Sequence, residues 1–160
     1  MGVKCSADMS AIANYFSQVV AIAKEELSAT FKYLGEECVA QIRDRSQDES
    51  WYDQTGNLRS SIGYGVYAHG RAEIESTFQI VKQGSDGPSA GRELLDTLAK
   101  QYADTYALVV VAGMNYADEV EARDNKDVLA SAELSARAKI DGRLQKTRER
   151  ILKRIEKLSL

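Results

Sequence analysis

Apolar residues recur at helical spacing from Asp8 to Asp44. Ile12, Phe16, Val19, Ala23, Leu27, Phe31, Leu34, Cys38 and Ile42 follow one another at steps of three or four. That is a continuous stripe down one side of a helix. No proline interrupts it, and Gly35 is its weak point. Such a helix spans about 50 Å at 1.5 Å per residue. A small domain does not need that length for its own core, so a long helical partner is implied, in the same chain or in a neighbouring subunit. The period then changes. Thr55–Tyr67, TGNLRSSIGYGVY, opens with a Thr55-Gly56-Asn57 turn and alternates from there. Leu58, Ile62, Tyr64 and Val66 share one parity; Arg59, Ser61, Gly63 and Gly65 share the other. This predicts a strand. Glu73–Val81 repeats the pattern, with Ile74, Phe78 and Ile80 against Glu73, Glu75, Thr77 and Gln79. Joined through Ala68-His69-Gly70-Arg71, the two predict a hairpin with one apolar and one wet face.

Further along, Gln83–Ser89 is turn chemistry with two glycines and the only proline, Pro88, and predicts a flexible, exposed loop. Ala90–Tyr102 carries Leu94, Leu95, Leu98 and Tyr102 at helical spacing, with Ser89 as N-cap and Arg92 at the third helical position. Tyr106–Ala112, YALVVVA, is short and β-branched and predicts a strand buried on both faces at the centre of the sheet. Met114–Glu121 predicts a helical turn or two after an Asn115 cap, broken by Ala122–Asn125. A second long helix runs from Lys126 to Lys157 on Leu129, Ala132, Ala136, Ile140, Leu144, Ile151, Ile155 and Leu158, with Gly142 as a hinge candidate. The fold class is α+β: a small antiparallel or mixed three-stranded sheet, a hairpin plus one central strand, packed with a long N-terminal, a middle and a long C-terminal helix. The polar stretch Arg43–Gln54 reads as a loop, in which Trp51 is either a core plug or an exposed contact. Burial of an aromatic is the commoner fate.

The chain has 160 residues, the length of a single domain. Met1–Ala7 reads as a disordered start, although Met1-Gly2-Val3-Lys4-Cys5-Ser6 also fits the myristoylation template with Cys5 beside it for palmitoylation. Its two cysteines, Cys5 and Cys38, are too few for a disulfide framework, and Cys38 falls on the apolar stripe as a small core residue. The longest apolar run, Ala107–Ala112, is far below the ~18 residues of a membrane span. With no signal-peptide pattern at the start, a cytosolic protein without a membrane partner is expected. The net charge of −3 hides an asymmetry. From Arg137 to Leu160 nine cations (Arg137, Lys139, Arg143, Lys146, Arg148, Arg150, Lys153, Arg154, Lys157) face three acids, so this basic helical extension carries +6 and the rest −9. Such an extension can face nucleic acid.

Candidate chemistry is sparse. His69 is the only histidine and sits in the hairpin turn without a nameable orienting partner. No paired His/Cys spacing suggests zinc, Gly63-Tyr64-Gly65 lies inside a strand pattern without a following GK[ST], and Asp118–Asp127 lacks the EF-hand spacing. No catalytic residue, cofactor or metal is expected.

Two segments resemble the head–tail joining and tail-completion proteins of tailed bacteriophages and prophages. Asp53–Ile62, DQTGNLRSSI, is similar to that family's T-G-x-L-[RK]-x-S-[IL] pattern. Gly113–Glu121, with Tyr116, Ala117 and Glu121, is similar to its Y-A-x-x-[VI]-E pattern after a buried strand. The likeness covers roughly Asp8 to Leu134. The chain departs from the family at Ala122-Arg123-Asp124-Asn125, where members carry Gly and then a Pro-containing segment. The resemblance implies a non-enzymatic virion protein forming a homo-oligomeric ring, commonly of six subunits, at the neck or the tail's upper end. Other neck or tail proteins would be its partners. It would be cytoplasmic in the bacterial host during assembly and then reside in the virion. A ring interface is heterologous, and the acidic body with the basic tail offers one source of complementarity.

In this setting Gly56 and Asn57 make the turn, Thr55 bonds its backbone, and Leu58 and Ile62 anchor the strand. Arg59 faces the other way as the best partner contact, Tyr116 packs on the sheet, and Glu121 pairs with Arg59. Trp51 and the cations Arg148, Arg150, Lys153 and Arg154 complete the set of candidate contacts. The basic tail has three roles open to it: non-specific contact with DNA in a channel, docking on the next ring protein, or pairing with the N-terminal helix. The last is favoured, because Asp8–Glu49 holds eight acids against four bases. The rival to a ring protein is a non-enzymatic nucleic-acid-binding or regulatory module built on that tail.

Overall fold

The computed structural model describes residues 8–46, 50–122 and 128–158. The lipidation pattern around Cys5 and the disordered-start expectation for Met1–Ala7 lie outside them. The order is α1 (Met9–Arg43), a helical turn α2 (Asn57–Ser60), β1 (Ile62–Ala68), β2 (Arg71–Glu75), α3 (Gly87–Ala99) with a 3-10 turn at Lys100–Tyr102, β3 (Tyr106–Ala112), α4 (Ala117–Ala122) and α5 (Ala130–Ile155). The fold is α+β. Its sheet is antiparallel, in the order β2-β1-β3.

α1 forms where the stripe predicts it. The Asp8 carboxylate accepts from the Ser10 and Ala11 amides and caps its start. Its second half buries Phe31, Leu34, Cys38 and Ile42 against one face of the sheet, which presents Ile62, Tyr64 and Val66 from β1. Gly35 marks the closest approach: a Cβ there would stand 2.3 Å from the Tyr64 ring. What reads as a weak point in a helix is the slot that admits a tyrosine. α5 runs antiparallel to α1, with Glu37 beside Lys139 and Glu26 beside Arg150. α5 continues through Gly142, whose surroundings are open, so no hinge breaks it.

Four expectations for the sheet are corrected. The strand starts at Ile62, because Asn57–Ser60 closes into a helical turn with Ser60 and Ser61 amides donating to Gly56 and Asn57 carbonyls. Leu58 and Arg59 therefore do not alternate across a strand. β1, not β3, is central, and all seven of its residues are buried. The face predicted to be wet carries Gly63 and Gly65. Phe78 lies over the first and the Tyr67 ring over the second, and α3 closes this side with Leu95 and Ala99. A missing side chain there makes room for an aromatic ring. Finally, β2 ends at Glu75, and Ile80 is exposed. β3 is an edge strand whose odd residues Val109 and Val111 face α3 and whose even residues Leu108 and Val110 face α1 and α5.

The Gln83–Ser89 stretch is an exposed loop only in part: Gln83, Ser85, Asp86 and Ser89 are exposed. Gly84, Gly87 and Pro88 are buried, α3 begins at Gly87, and its N-cap is Asp86 rather than Ser89. Proline in the first turn of a helix loses no hydrogen bond. His69, at φ 51°, and Gly70, at φ 74°, make the two-residue hairpin turn, and His69 is exposed.

Candidate functional site

The first motif segment is a structural knot. Asp53 is almost fully buried, and its carboxylate accepts from the Gly56 amide at 3.0 Å and the Arg59 amide at 3.4 Å. Gly56 holds φ 89°, and a Cβ on it would collide with the Val81 carbonyl. Only glycine fits there. Thr55 Oγ1 accepts from the Asn57 amide, Asn57 Oδ1 accepts from the Asp86 amide at the head of α3, and Ser60 Oγ accepts from the Val81 amide. Leu58 and Ile62 are core residues.

Arg59 is at the centre of this knot and does not face a partner. It is 8% exposed. Its guanidinium donates to the Arg43 carbonyl at 2.6 Å and to Ser50 Oγ at 2.8 Å, lies 3.9 Å from Asp53, and covers the Trp51 ring. Trp51 is likewise buried, as the core alternative expects, and is not available as a contact. The helical turn is what turns Arg59 inward, and strand parity could not reveal it. Asp53, Ser50 and Ser60 were missed as structural residues; an aspartate three residues before a turn glycine is the signal that points to the first of them.

The second motif segment comes to the same place. Tyr116 and Val120 line a cleft of about 230 Å³ together with Trp51, Asp53, Thr55 and Leu58. Burial pushes the Tyr116 phenol up, the Asp53 carboxylate adds to the push, and Thr55 opposes it. Ala117 is buried in the main core. Glu121 does not pair with Arg59. Its carboxylate accepts from the Leu129 and Ala130 amides, at 3.3 and 3.0 Å, and so caps the start of α5. An anion at a helix N-terminus satisfies orphan donors and complements the dipole.

The basic extension divides by face. Lys139 and Arg143 bind Glu37 at 2.5 and 2.8 Å, Arg150 binds Glu26 at 2.7 Å, and Arg154 bridges Glu25 and Glu26 at 2.7 and 2.9 Å. A hydroxyl contact, Thr30 to Thr147 at 2.7 Å, is buried between them. The hydrogen bonds from Arg150 and Arg154 hold the Glu26 carboxyl below its usual range, and Lys139 does the same for Glu37. Arg150 and Arg154 are therefore engaged within the chain with α1, while Arg148 and Lys153 are exposed on α5 beside Lys146 and Lys157. Met9, Phe16 and Val20, at the other end of α1, are 71%, 60% and 51% exposed.

Among the described residues, no three His, Cys, Asp or Glu side chains stand close enough together to hold a metal ion, and no helix is long and apolar enough to cross a membrane. Compared with models of known protein families, with curated proteins and with solved structures, the chain finds no match.

Proposed function

We propose that this chain is a structural protein of a tailed phage or prophage virion, copies of which form a ring at the head–tail junction or the tail end. One observation carries the reading: the two segments that resemble the family's motifs, Thr55–Ile62 and Tyr116–Glu121, meet around one cleft, where Thr55 lies beside Tyr116. Their residues serve scaffolding ends, a left-handed turn at Gly56 and a helix cap from Glu121. A ring joins two different faces of each subunit, and the sheet has two unlike edges, the charged β2 and the apolar β3. The acidic body and basic tail are poorer candidates for that joint, because their charges already meet between α1 and α5. The test is native mass by light scattering, alone and with purified portal or tail tube. A closed multiple near six copies supports the reading. A protein that stays monomeric alone and with both partners overturns it.

A second reading, a nucleic-acid-binding module, draws on the exposed cations Lys146, Arg148 and Lys153 of α5 and Lys157 in the turn after it. It expects duplex DNA binding that weakens steeply with salt and further in an Arg148→Glu, Lys153→Glu variant. Binding unaffected by that variant removes it.

A further inference from the structure

Among the described residues, the start of α1 runs on past the end of α5. The antiparallel register sets Glu37 against Arg143, Glu26 against Arg150 and Glu25 against Arg154. α5 ends at Ile155, so its end comes level with the residues just before Glu25. Ile22 is still buried, so the stretch that runs on beyond the helical partner, Met9 to about Val20, is roughly 15 Å long. The apolar stripe continues with it. Met9, Phe16 and Val20 lie on the same line along the helix as Leu27, Leu34 and Cys38, of which Leu34 and Cys38 are buried against the sheet and α5. Met9, Ile12, Phe16, Val19 and Ala23 are spaced three and four apart, the repeat of a helix seam that receives another helix.

The rest of this stretch is as unusual as its stripe. Between Asp8 and Lys24 no residue is charged. A helix end surrounded by water normally carries charges on the side away from the core. A helix lying in a membrane interface carries Lys or Arg on its polar face. The polar face here offers Ser10, Asn14, Ser17 and Gln18. An uncharged, seam-bearing helix fits a surface like itself, where no charge is desolvated and none repels.

We propose that copies of this chain associate through the N-terminal end of α1, with Met9–Ala23 of one copy packed along the same stretch of another. This goes beyond the ring reading: it names a surface and does not depend on a phage partner. Fifteen helical residues cover less than the ~800 Å² per partner of a standard stable interface. The contact therefore gathers more than two copies or works alongside another.

Two variants of the full chain test it. Phe16→Glu with Val20→Glu places charges at exposed positions, so helix content by circular dichroism should be kept. The wild-type chain is expected to exceed monomer mass by light scattering, and the double variant to need at least a tenfold higher concentration to do so. Phe16 is the midpoint of Met9–Ala23, so it faces its copy in either helix direction. Phe16→Cys in a Cys5→Ser background is expected to form a disulfide-linked dimer under mild oxidant, while Leu134→Cys, exposed on α5, does not. A wild-type chain that is monomeric at every concentration overturns the proposal. So does assembly that persists in the double variant without the Phe16→Cys link, an outcome that would leave a ring held by other surfaces standing. Wild-type binding to anionic vesicles that is lost in the double variant, with no self-association, would also overturn it in favour of a lipid surface.

Discussion

The Arg59 guanidinium lies 4.6 Å over the centre of the Trp51 ring while its two terminal nitrogens donate to Arg43 and Ser50. One side chain thus ties the C-terminal end of α1 to the turn that launches β1. Three expected outcomes follow from this and two other features of the packing.

Arg59→Ala should cost about 3–5 kcal/mol, the range for removing one member of a buried charge pair. Arg59→Lys should recover little of it, because an ammonium cannot span the Arg43 carbonyl and Ser50 Oγ and cover an indole at once. Urea midpoints at constant slope measure both. The charge exchange Arg59→Glu with Glu121→Arg should be worse than either single change, since Glu121 serves α5 and not Arg59. Restored stability in the exchange would contradict this arrangement.

Two helix glycines should respond with opposite sign to the same substitution. Gly142→Ala sits in open surroundings within α5 and should gain about 1 kcal/mol, the ordinary propensity difference. Gly35→Ala drives a methyl into the ring of Tyr64, which is 1% exposed, and should lose about 1–3 kcal/mol through overpacking. Thermal melts of the two variants beside the wild type are sufficient.

Acid should loosen the α1–α5 pair. Glu26 and Glu37 titrate below their ordinary range in the folded chain, held there first by Arg150 and by Lys139 respectively. Their contribution is complete above the unfolded-state value near about 4.3 and is lost as pH falls through the lower folded value. Glu26→Gln should therefore melt below the wild type near about pH 6, and the gap should close toward about pH 3. A gap that does not change with pH would show that Glu26 acts by packing rather than by charge.

What local pattern encodes, the chain could be read for directly. The helical stripe of α1, its Asp8 start, the burial of Cys38, the helical character of α5, the α+β class and the pairing of the basic tail with α1 acids were legible, but not that Arg150 and Arg154, candidate partner contacts, are among the cations so engaged. Each is set by periodicity, by a side chain within a few residues, or by the charge balance of two long helices. The proposed association of α1 grows from the same stripe.

Tertiary structure decided the rest. Gly63 and Gly65 carry no side chain to announce which face is wet, and rings from Phe78 and Tyr67 decide that the face is dry. The short helical turn at Asn57–Ser60 breaks the parity that would have pointed Arg59 outward, and the Arg43 carbonyl and Ser50 hydroxyl then draw it in. β3 is apolar enough for a central strand, yet it lies at an edge, with its odd residues buried under α3 and its even residues half-buried beside α1 and α5. Glu121 finds Leu129 and Ala130 only once α4 and the start of α5 are brought side by side. Periodicity records whether a position is apolar; which neighbour fills the space beside it is settled by packing between segments far apart in the chain.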